Sequence, residues 1–391
     1  MYINKKNYFY IGIVSFLILI VSILLFPKTE EKTLTNIVPV SSDEEILSKS
    51  NSGIFSKFST LADNKVKSMT LDEKIGQLLL VRYPDSGAVE AAKKYKFGGF
   101  VFFEKDFKDK SEDEVISMIK SVQNVSKIPL LTAVDEEGGS VVRVSSNPNL
   151  VNQKFSSPRE LYLEGGFDLI DKDTKEKSKV LNNLGLNVNL APVVDVSVNS
   201  SDYMYERTLG ENTSLTSTYA KTVINASKNS GVSYVMKHFP GYGNNADTHV
   251  GEVVDNRTYS EIETNDLPPF EEGISVGAEA ILVSHNTVIN IDSNNPASLS
   301  LSVNSLLRNN LNFTGVIITD DLSMGAVSSI DNVVVKALKA GNDIIMVTDY
   351  EKSIKEIKDA LNNGELSEDI IDEANRRIIA WKYYKGLMYD K

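Results

Sequence analysis

Cysteine is absent from the 391-residue chain, histidine occurs three times and tryptophan once, and 41 Lys and Arg stand against 53 Asp and Glu. The missing cysteine excludes disulfide scaffolds, thiolate-ligated zinc or iron–sulfur sites, thiol catalysis and a lipid-modified N-terminal cysteine. Three histidines leave room for at most one small imidazole-rich metal site. The net charge of −12 argues against nucleic acid as a partner, because binding phosphates needs an excess of cations. What is present, 41% apolar and 24% charged residues, is ordinary globular material rather than disordered chain. The length suits one large domain or two medium ones, and either holds a core large enough to fold without staples.

One long charge-free apolar run stands out, Tyr8 to Phe26, preceded by Lys5 and Lys6. At ~1.5 Å per helical residue it comes close to the ~30 Å hydrocarbon thickness. It ends Leu24-Leu25-Phe26-Pro27-Lys28, without the small residues of a signal-peptide cleavage site. Residues 1–28 are therefore expected to form an uncleaved signal anchor, with a long cleaved signal peptide as the alternative. Lys5 and Lys6 favour a cytoplasmic N-terminus and an extracellular body, although Lys28 and Lys32 weaken that bias. Residues 29–64, rich in Ser, Thr, Lys and Glu, are expected to be a polar tether. Residues 65–391 would then be the catalytic body.

The body opens on a capping-box signature, Thr70-Leu71-Asp72-Glu73. Strand-like apolar runs then recur: Leu78–Val81, Gly99–Phe103, Leu130–Val134, Val188–Ala191, Tyr234–Met236, Ala280–Val283, Val316–Thr319 and Ile344–Val347. Amphipathic stretches lie between and after them, among them Glu112–Val125, Leu215–Ser230, Ser302–Leu311, Asn332–Ala340, Tyr350–Asn363 and Glu368–Lys385. β-branched runs apolar on both faces and alternating with helices predict parallel βα units. Eight of them predict an α/β fold of the (β/α)₈ TIM-barrel type. An open doubly wound sheet is the competitor, but no G-x-G-x-x-G opens a helix after the first strand.

Barrel enzymes place their chemistry just past the strand ends. Here those positions read Arg82, Glu104, Asp135, Asp195, Lys237-His238, His285, Asp320-Asp321 and Asp349, a ring that outlines a polar pocket. The apolar run before Thr319-Asp320-Asp321-Leu322-Ser323-Met324 delivers Asp320 to the mouth, where a carboxylate can act as nucleophile or charge stabiliser. Asp321 suits a cap on the next helix. The segment Lys237-His238-Phe239-Pro240-Gly241-Tyr242-Gly243 runs into a Gly- and Asn-rich loop carrying Asp247 and His249. A carboxylate bonded to one imidazole nitrogen sets the tautomer and raises the basicity of the other, as a general acid/base needs. A solvated turn explains the same D-x-H, and the histidine spacing matches no standard zinc pattern. Asp135 in Val134-Asp135-Glu136-Glu137-Gly138-Gly139, and Asp195 after Ala191-Pro192, suit hydroxyl recognition or structural ion pairs with Arg143 or Arg207. No metal, nucleotide or flavin signature is present, so no cofactor is expected.

Together these segments resemble glycoside hydrolase family 3, over about Leu71 to Leu387. The motifs that carry the resemblance are K-H-F-P-G-x-G followed by D-x-H, T-D-D-L-S-M, and V-D-x-E-G-G-x-V-x-R. The resemblance implies a (β/α)₈ barrel and a retaining glycosidase of the single-domain bacterial β-N-acetylglucosaminidase branch. By position it implies Asp320 as nucleophile, His249 with Asp247 as acid/base dyad, and Asp135, Arg143, Arg207, Lys237 and His238 around the sugar. It implies a peptidoglycan-derived glycan or muropeptide as substrate. A family-3 β-glucosidase or β-xylosidase is one alternative, and an inactive membrane-tethered sugar-binding protein another. Two residues depart from the family pattern: Tyr242 where many members have His, and Asn244 where Asp is usual.

Overall fold

The computed structural model describes residues 53–389. Ten strands are present among the described residues: β1 Leu79–Arg82, β2 Gly99–Phe102, β3 Leu131–Val134, β4 Val188–Asn189, β5 Ser233–Phe239, β6 Val254–Asp255, β7 Ala280–Val283, β8 Thr287–Val288, β9 Val316–Thr319 and β10 Ile345–Val347. Eight of them hydrogen-bond in the order β10-β1-β2-β3-β4-β5-β7-β9, all in parallel, and β6 and β8 form a separate parallel pair. β9 reaches β10 through one bridge, Ile318 to Ile344, with the Thr319 N–H on the Ile344 carbonyl at 3.0 Å. The result is a near-closed parallel barrel. Each expected apolar run lies on one of its strands, because both faces of a parallel strand are covered and its side chains need no polar alternation.

Ionic pairing reinforces the β9–β10 closure. Asp343, fully buried, accepts Arg308 Nη2 at 2.6 Å, Arg377 Nε at 2.7 Å and the Ile317 N–H at 2.8 Å. Two guanidiniums and a backbone donor satisfy a carboxylate that would otherwise be costly to bury. The C-terminal helix Glu368–Tyr384 brings Arg377 to this point and seats Trp381 beneath the barrel, its indole N–H on Glu279 at 2.8 Å.

The helices follow the amphipathic pattern with small shifts at their ends: Glu112–Val125, Thr213–Ser227, Val333–Lys339 and Tyr350–Asn362. The Thr70–Glu73 capping box forms as expected, with the Glu73 N–H on the Thr70 hydroxyl and the Thr70 N–H on the Glu73 carboxylate. The stretch expected as one helix at Ser302–Leu311 is a short α-helix, Leu301–Ser305, running into a π-helical turn, Leu306–Asn310. No stretch named from sequence lies between β3 and β4, yet helical chain runs there over Pro158–Leu184, kinked in the middle. Gly165 and Gly166 leave helical geometry inside it and break the periodicity that would have marked it.

The boundary expected at residue 64 is corrected. Helix Ser59–Ser68 crosses it, burying Ala62 and Val66, while Phe55 and Phe58 pack on Tyr384 and Tyr383 at centroid distances of 5.3 and 6.3 Å. The polar composition of the helix's outer face hid this inner one. Residues 1–28, and the tether up to residue 52, lie outside the described residues. Among the described residues no helix is long and apolar enough to cross a membrane.

Lys382 is buried at the base of the barrel, donating to Gln77 Oε1 at 2.6 Å and to the Gly98 carbonyl at 2.9 Å. Burial pushes its amine down to about 7, against about 10.4 in an unfolded chain. Between these values the unfolded chain binds a proton that the folded one lacks, so this group's contribution to stability rises with pH across the window and is lost as pH falls to 7. Lys382→Met forfeits two hydrogen bonds at every pH but removes this titration. The stability of the variant relative to the parent is therefore expected to fall as pH rises from 6 to 9.5. Denaturant midpoints at the two pH values test it, and a pH-independent difference would refute it.

Candidate active site

Asp320 is the first residue past β9. Its N–H donates to the Val283 carbonyl on β7 at 3.0 Å, and its Oδ1 accepts the Asp321 N–H at 2.9 Å. Burial pushes its carboxyl up, but the facing imidazoles of His285 and His238, the Asp321 N–H and the Lys237 ammonium outweigh it. The group settles below the ordinary carboxylate range. Asp321 is driven the opposite way by its burial and by the charge of Asp320, and its Oδ1 caps the following turn through the Ser323 N–H at 2.9 Å. Two adjacent carboxylates with pKa values pushed apart separate a ready anion from a structural cap.

His285 braces this pair from below. It is fully buried, with Nδ1 2.8 Å from Ser298 Oγ and Nε2 3.0 Å from the Asp321 carbonyl. A carbonyl only accepts, so Nε2 carries the proton and Nδ1 accepts from Ser298. Burial pushes the ring's pKa down, against the pull of the Asp320 and Asp321 carboxylates.

Lys237, at the end of β5, is buried between two carboxylates, 2.8 Å from Asp135 and 2.6 Å from Glu137. Arg207 grips the same Glu137 with two bonds, Nε to Oε2 at 3.0 Å and Nη2 to Oε1 at 2.7 Å. Fully buried Glu137 is thereby held well below the carboxylate range despite its desolvation, and Lys237 above its own. The neighbouring Glu136 points the other way and accepts the backbone N–H groups of Arg143 and Val144 at 2.8 and 2.7 Å. This folds the loop so that the Arg143 guanidinium lies 5.7 Å from the Phe103 ring centroid. Asp195, fully buried, takes His238 Nδ1 at 2.8 Å, the His238 N–H at 3.2 Å and the Tyr242 N–H at 2.6 Å.

The loop after β5 carries the remaining pair. His249 Nδ1 lies 2.6 Å from Asp247 Oδ1, and the His249 N–H reaches the same oxygen at 2.9 Å. Asp247 loses solvation, yet these two bonds hold it below the usual range. Nδ1 faces the carboxylate, which leaves Nε2 for proton transfer in a largely exposed ring. Two backbone bonds tie the loop to the segment just past the nucleophile candidate: Gly325 N–H to the His249 carbonyl at 3.3 Å, and Ala326 N–H to the Thr248 carbonyl at 3.2 Å. Among the described residues no group of three or more acidic or histidine side chains is arranged to hold a metal ion.

The family model described as "Glycosyl hydrolase family 3 N terminal domain" matches residues 70–381. The chain belongs to glycoside hydrolase family 3. It is similar to Beta-hexosaminidase LpqI of Mycobacterium tuberculosis, 30% identical over 328 residues, which cover 79% of this chain and 82% of that protein. It is also similar to Beta-hexosaminidase A of Pseudoalteromonas piscicida, 27% identical over 326 residues, 75% of this chain but 54% of that protein. Among solved structures it resembles a family 3 beta-N-acetylglucosaminidase from Paenibacillus sp., with a TM-score of 0.77 and 26% identity over 83% of this chain and 64% of that one. The chain thus spans about half of one longer relative and about two thirds of another. As a family 3 member it is a glycosidase.

In this family 3 glycosidase the structure brings Asp135, Arg207, Lys237, His238 and Asp320 to one end of the barrel, with the Asp247–His249 loop tied beside them. The ion pairs considered from sequence are not the ones formed. Arg207 pairs with Glu137 rather than Asp135 or Asp195, and Arg143 Nε is buried with no protein partner. Sequence reading passed over Glu137 as a site residue. Glu137 stands two residues past Asp135, just beyond β3, and both carboxylates reach Lys237.

Proposed function

We propose that the chain is an exo-acting retaining β-N-acetylhexosaminidase that removes non-reducing terminal β-N-acetylglucosamine from peptidoglycan-derived glycans or muropeptides. The observation that carries this reading is the pairing of an ionised, half-buried Asp320 with a hydrogen-bonded Asp247–His249 dyad on the loop tied next to it. The names of the relatives, hexosaminidases and a beta-N-acetylglucosaminidase, support the sugar.

In the first half-reaction an Asp320 oxygen attacks the anomeric carbon as the protonated His249 Nε2 gives its proton to the departing glycosidic oxygen. The product is a glycosyl ester on Asp320. In the second, neutral His249 takes a proton from water as that water attacks the anomeric carbon, and Asp320 leaves as carboxylate. An imidazolium replaces the usual second carboxylic acid and avoids a second anion beside the nucleophile. Asp135, Lys237 and Arg207 supply charge-assisted bonds for ring hydroxyls, bonds that strengthen as the ring distorts. The apolar run Tyr8–Phe26 supports a membrane-anchored body facing the wall, and the absence of a net positive charge suits small fragments better than anionic polymer.

His249→Ala should slow hydrolysis of an N-acetylglucosaminyl disaccharide about 10²–10⁴-fold, the range for losing a general acid/base. With a dinitrophenyl leaving group, which needs no proton, the first step should lose far less. Equal losses on both substrates would overturn the dyad. Parent-enzyme rates on nitrophenyl N-acetylglucosaminide, glucoside and xyloside test the sugar, and a preference for either of the last two would overturn it.

A further inference from the structure

Tyr242 stands in the loop where the family pattern usually has His, and its phenol does not face solvent. It is buried, and its oxygen accepts the Thr248 N–H at 2.9 Å while sharing a hydrogen bond with Thr248 Oγ1 at 2.8 Å. Thr248 is the residue between Asp247 and His249. One side chain therefore grips the backbone of the dyad at its midpoint.

Three further contacts hold Tyr242 itself in place. Its N–H donates to Asp195 at 2.6 Å, and its ring packs against His238 and Tyr203 at centroid distances of 5.6 and 5.9 Å. Its two neighbours are glycines with positive φ, +121° at Gly241 and +58° at Gly243. A β-carbon on Gly241 would come within 2.3 Å of Asp266 Oδ1, and one on Gly243 within 2.5 Å of Arg257 Cζ. Those two groups belong to a buried ionic cluster: Arg257 bonds Asp266 at 2.6 Å and grips Asp255 through Nη2 at 2.6 Å and Nε at 3.0 Å. The base of the loop is thus clamped between Asp195 on one side and the Asp255–Arg257–Asp266 cluster on the other. Past that base the chain becomes exposed at Asn244, Ala246, His249 and Val250, and Tyr242 is a side chain that links the base to the dyad's backbone, while Tyr203 hydrogen-bonds the Asp247 carboxylate.

We propose that Tyr242 is a positioning residue that latches the acid/base loop through Thr248 and so sets the aim of His249. The proposal rests on the reading of Asp247–His249 as the acid/base dyad. The phenol's pKa is pushed up to about 12, mainly by burial, so the hydroxyl keeps its proton throughout the working range and the latch does not open by ionisation.

Tyr242→Phe removes the oxygen and keeps the ring, so the packing on His238 and Tyr203 survives. A misplacement of about 1 Å at a reacting group can cost about 10²-fold in rate. The variant is therefore expected to lose about 10- to 100-fold in kcat on an N-acetylglucosaminyl disaccharide, up to the full size of that effect, with KM nearly unchanged. The first step on the dinitrophenyl glycoside should be close to the parent rate. The double variant Tyr242→Phe/His249→Ala should be no slower than His249→Ala alone, since a residue acting through another adds nothing once that other is gone. Parent-like kcat on the disaccharide, equal losses on both substrates, or additive losses would each overturn the proposal. Hydrogen exchange of the peptide spanning residues 244–250 provides a readout independent of turnover. It should speed up in Tyr242→Phe, and unchanged exchange overturns the latch whatever His249 does. If His249→Ala keeps full activity, the dyad reading fails, whereas parent-like exchange in Tyr242→Phe is a failure of the latch alone.

Discussion

Asp320→Ala is expected to abolish measurable turnover, a fall of about 10⁴-fold or more, the scale seen when a nucleophile is deleted from a preorganised site. The size reflects how little the side chain does for the fold. Its carboxylate accepts the Asp321 N–H, while the strand end is held by the backbone bond from Asp320 N–H to Val283. The loss should therefore fall on chemistry and leave stability nearly untouched. Asp320→Asn sharpens the test, because an amide keeps an acceptor for the Asp321 N–H but cannot form a glycosyl ester. Both variants should melt close to the parent and retain sugar binding. A fluorinated glycoside that slows the second step should label the peptide containing Asp320. Turnover retained in both variants, at levels above contaminating activity, would remove Asp320 from the mechanism.

Glu137→Ala should have the opposite profile, a large loss of stability. Glu137 is the common counter-ion of buried Lys237 and partly buried Arg207, with side chains 3% and 17% exposed. Removing one partner of a buried ion pair costs about 3–5 kcal/mol, because the remaining charge is left without compensation. The melting midpoint should fall by roughly 5 °C or more for a body of this size. Activity should fall as well, since Lys237 and Arg207 are freed to swing. Asp135→Asn is the comparison: Asp135 is more exposed and pairs with Lys237 alone, so it should cost less stability while weakening substrate binding. Equal melting points for the Glu137→Ala and parent proteins would show that the Lys237–Glu137–Arg207 cluster is not structural.

These two expectations divide between what could be read from the chain and what could not. Asp320 was legible because an apolar strand followed at once by Asp has one place to put that Asp in a barrel, at the C-terminal rim. His249 with Asp247 was legible because hydrogen bonding between residues two apart is a local event. Glu137 is not marked by sequence because its partners are far away along the chain, and residue type alone does not distinguish a buried carboxylate gripping two cations from one in solvent. His285 illustrates the same limit. It sits on the predicted ring of strand ends, yet it is a brace under the Asp321 carbonyl, a role defined by Ser298 and Asp321 rather than by its own neighbours.

Tyr242 marks the boundary between the two kinds of information. As a departure from the family pattern it was visible in sequence, but its consequence was not. Whether a tyrosine in a Gly-Tyr-Gly turn is exposed or buried depends on how closely the backbone approaches Asp266 and Arg257, and both lie beyond the loop in sequence.

The amino-acid sequence by itself determined the barrel, since β-branched runs apolar on both faces, alternating with amphipathic helices, have few other ways to bury their surface. It determined also which polar residues stand at the strand ends. Tertiary structure alone decided who pairs with whom: Glu137 with Lys237 and Arg207, Asp195 with His238, Asp343 with Arg308 and Arg377, Tyr242 with Thr248. Period and composition act over a few residues, whereas a buried charge or hydroxyl is paired by whatever the closed barrel brings within about 3 Å.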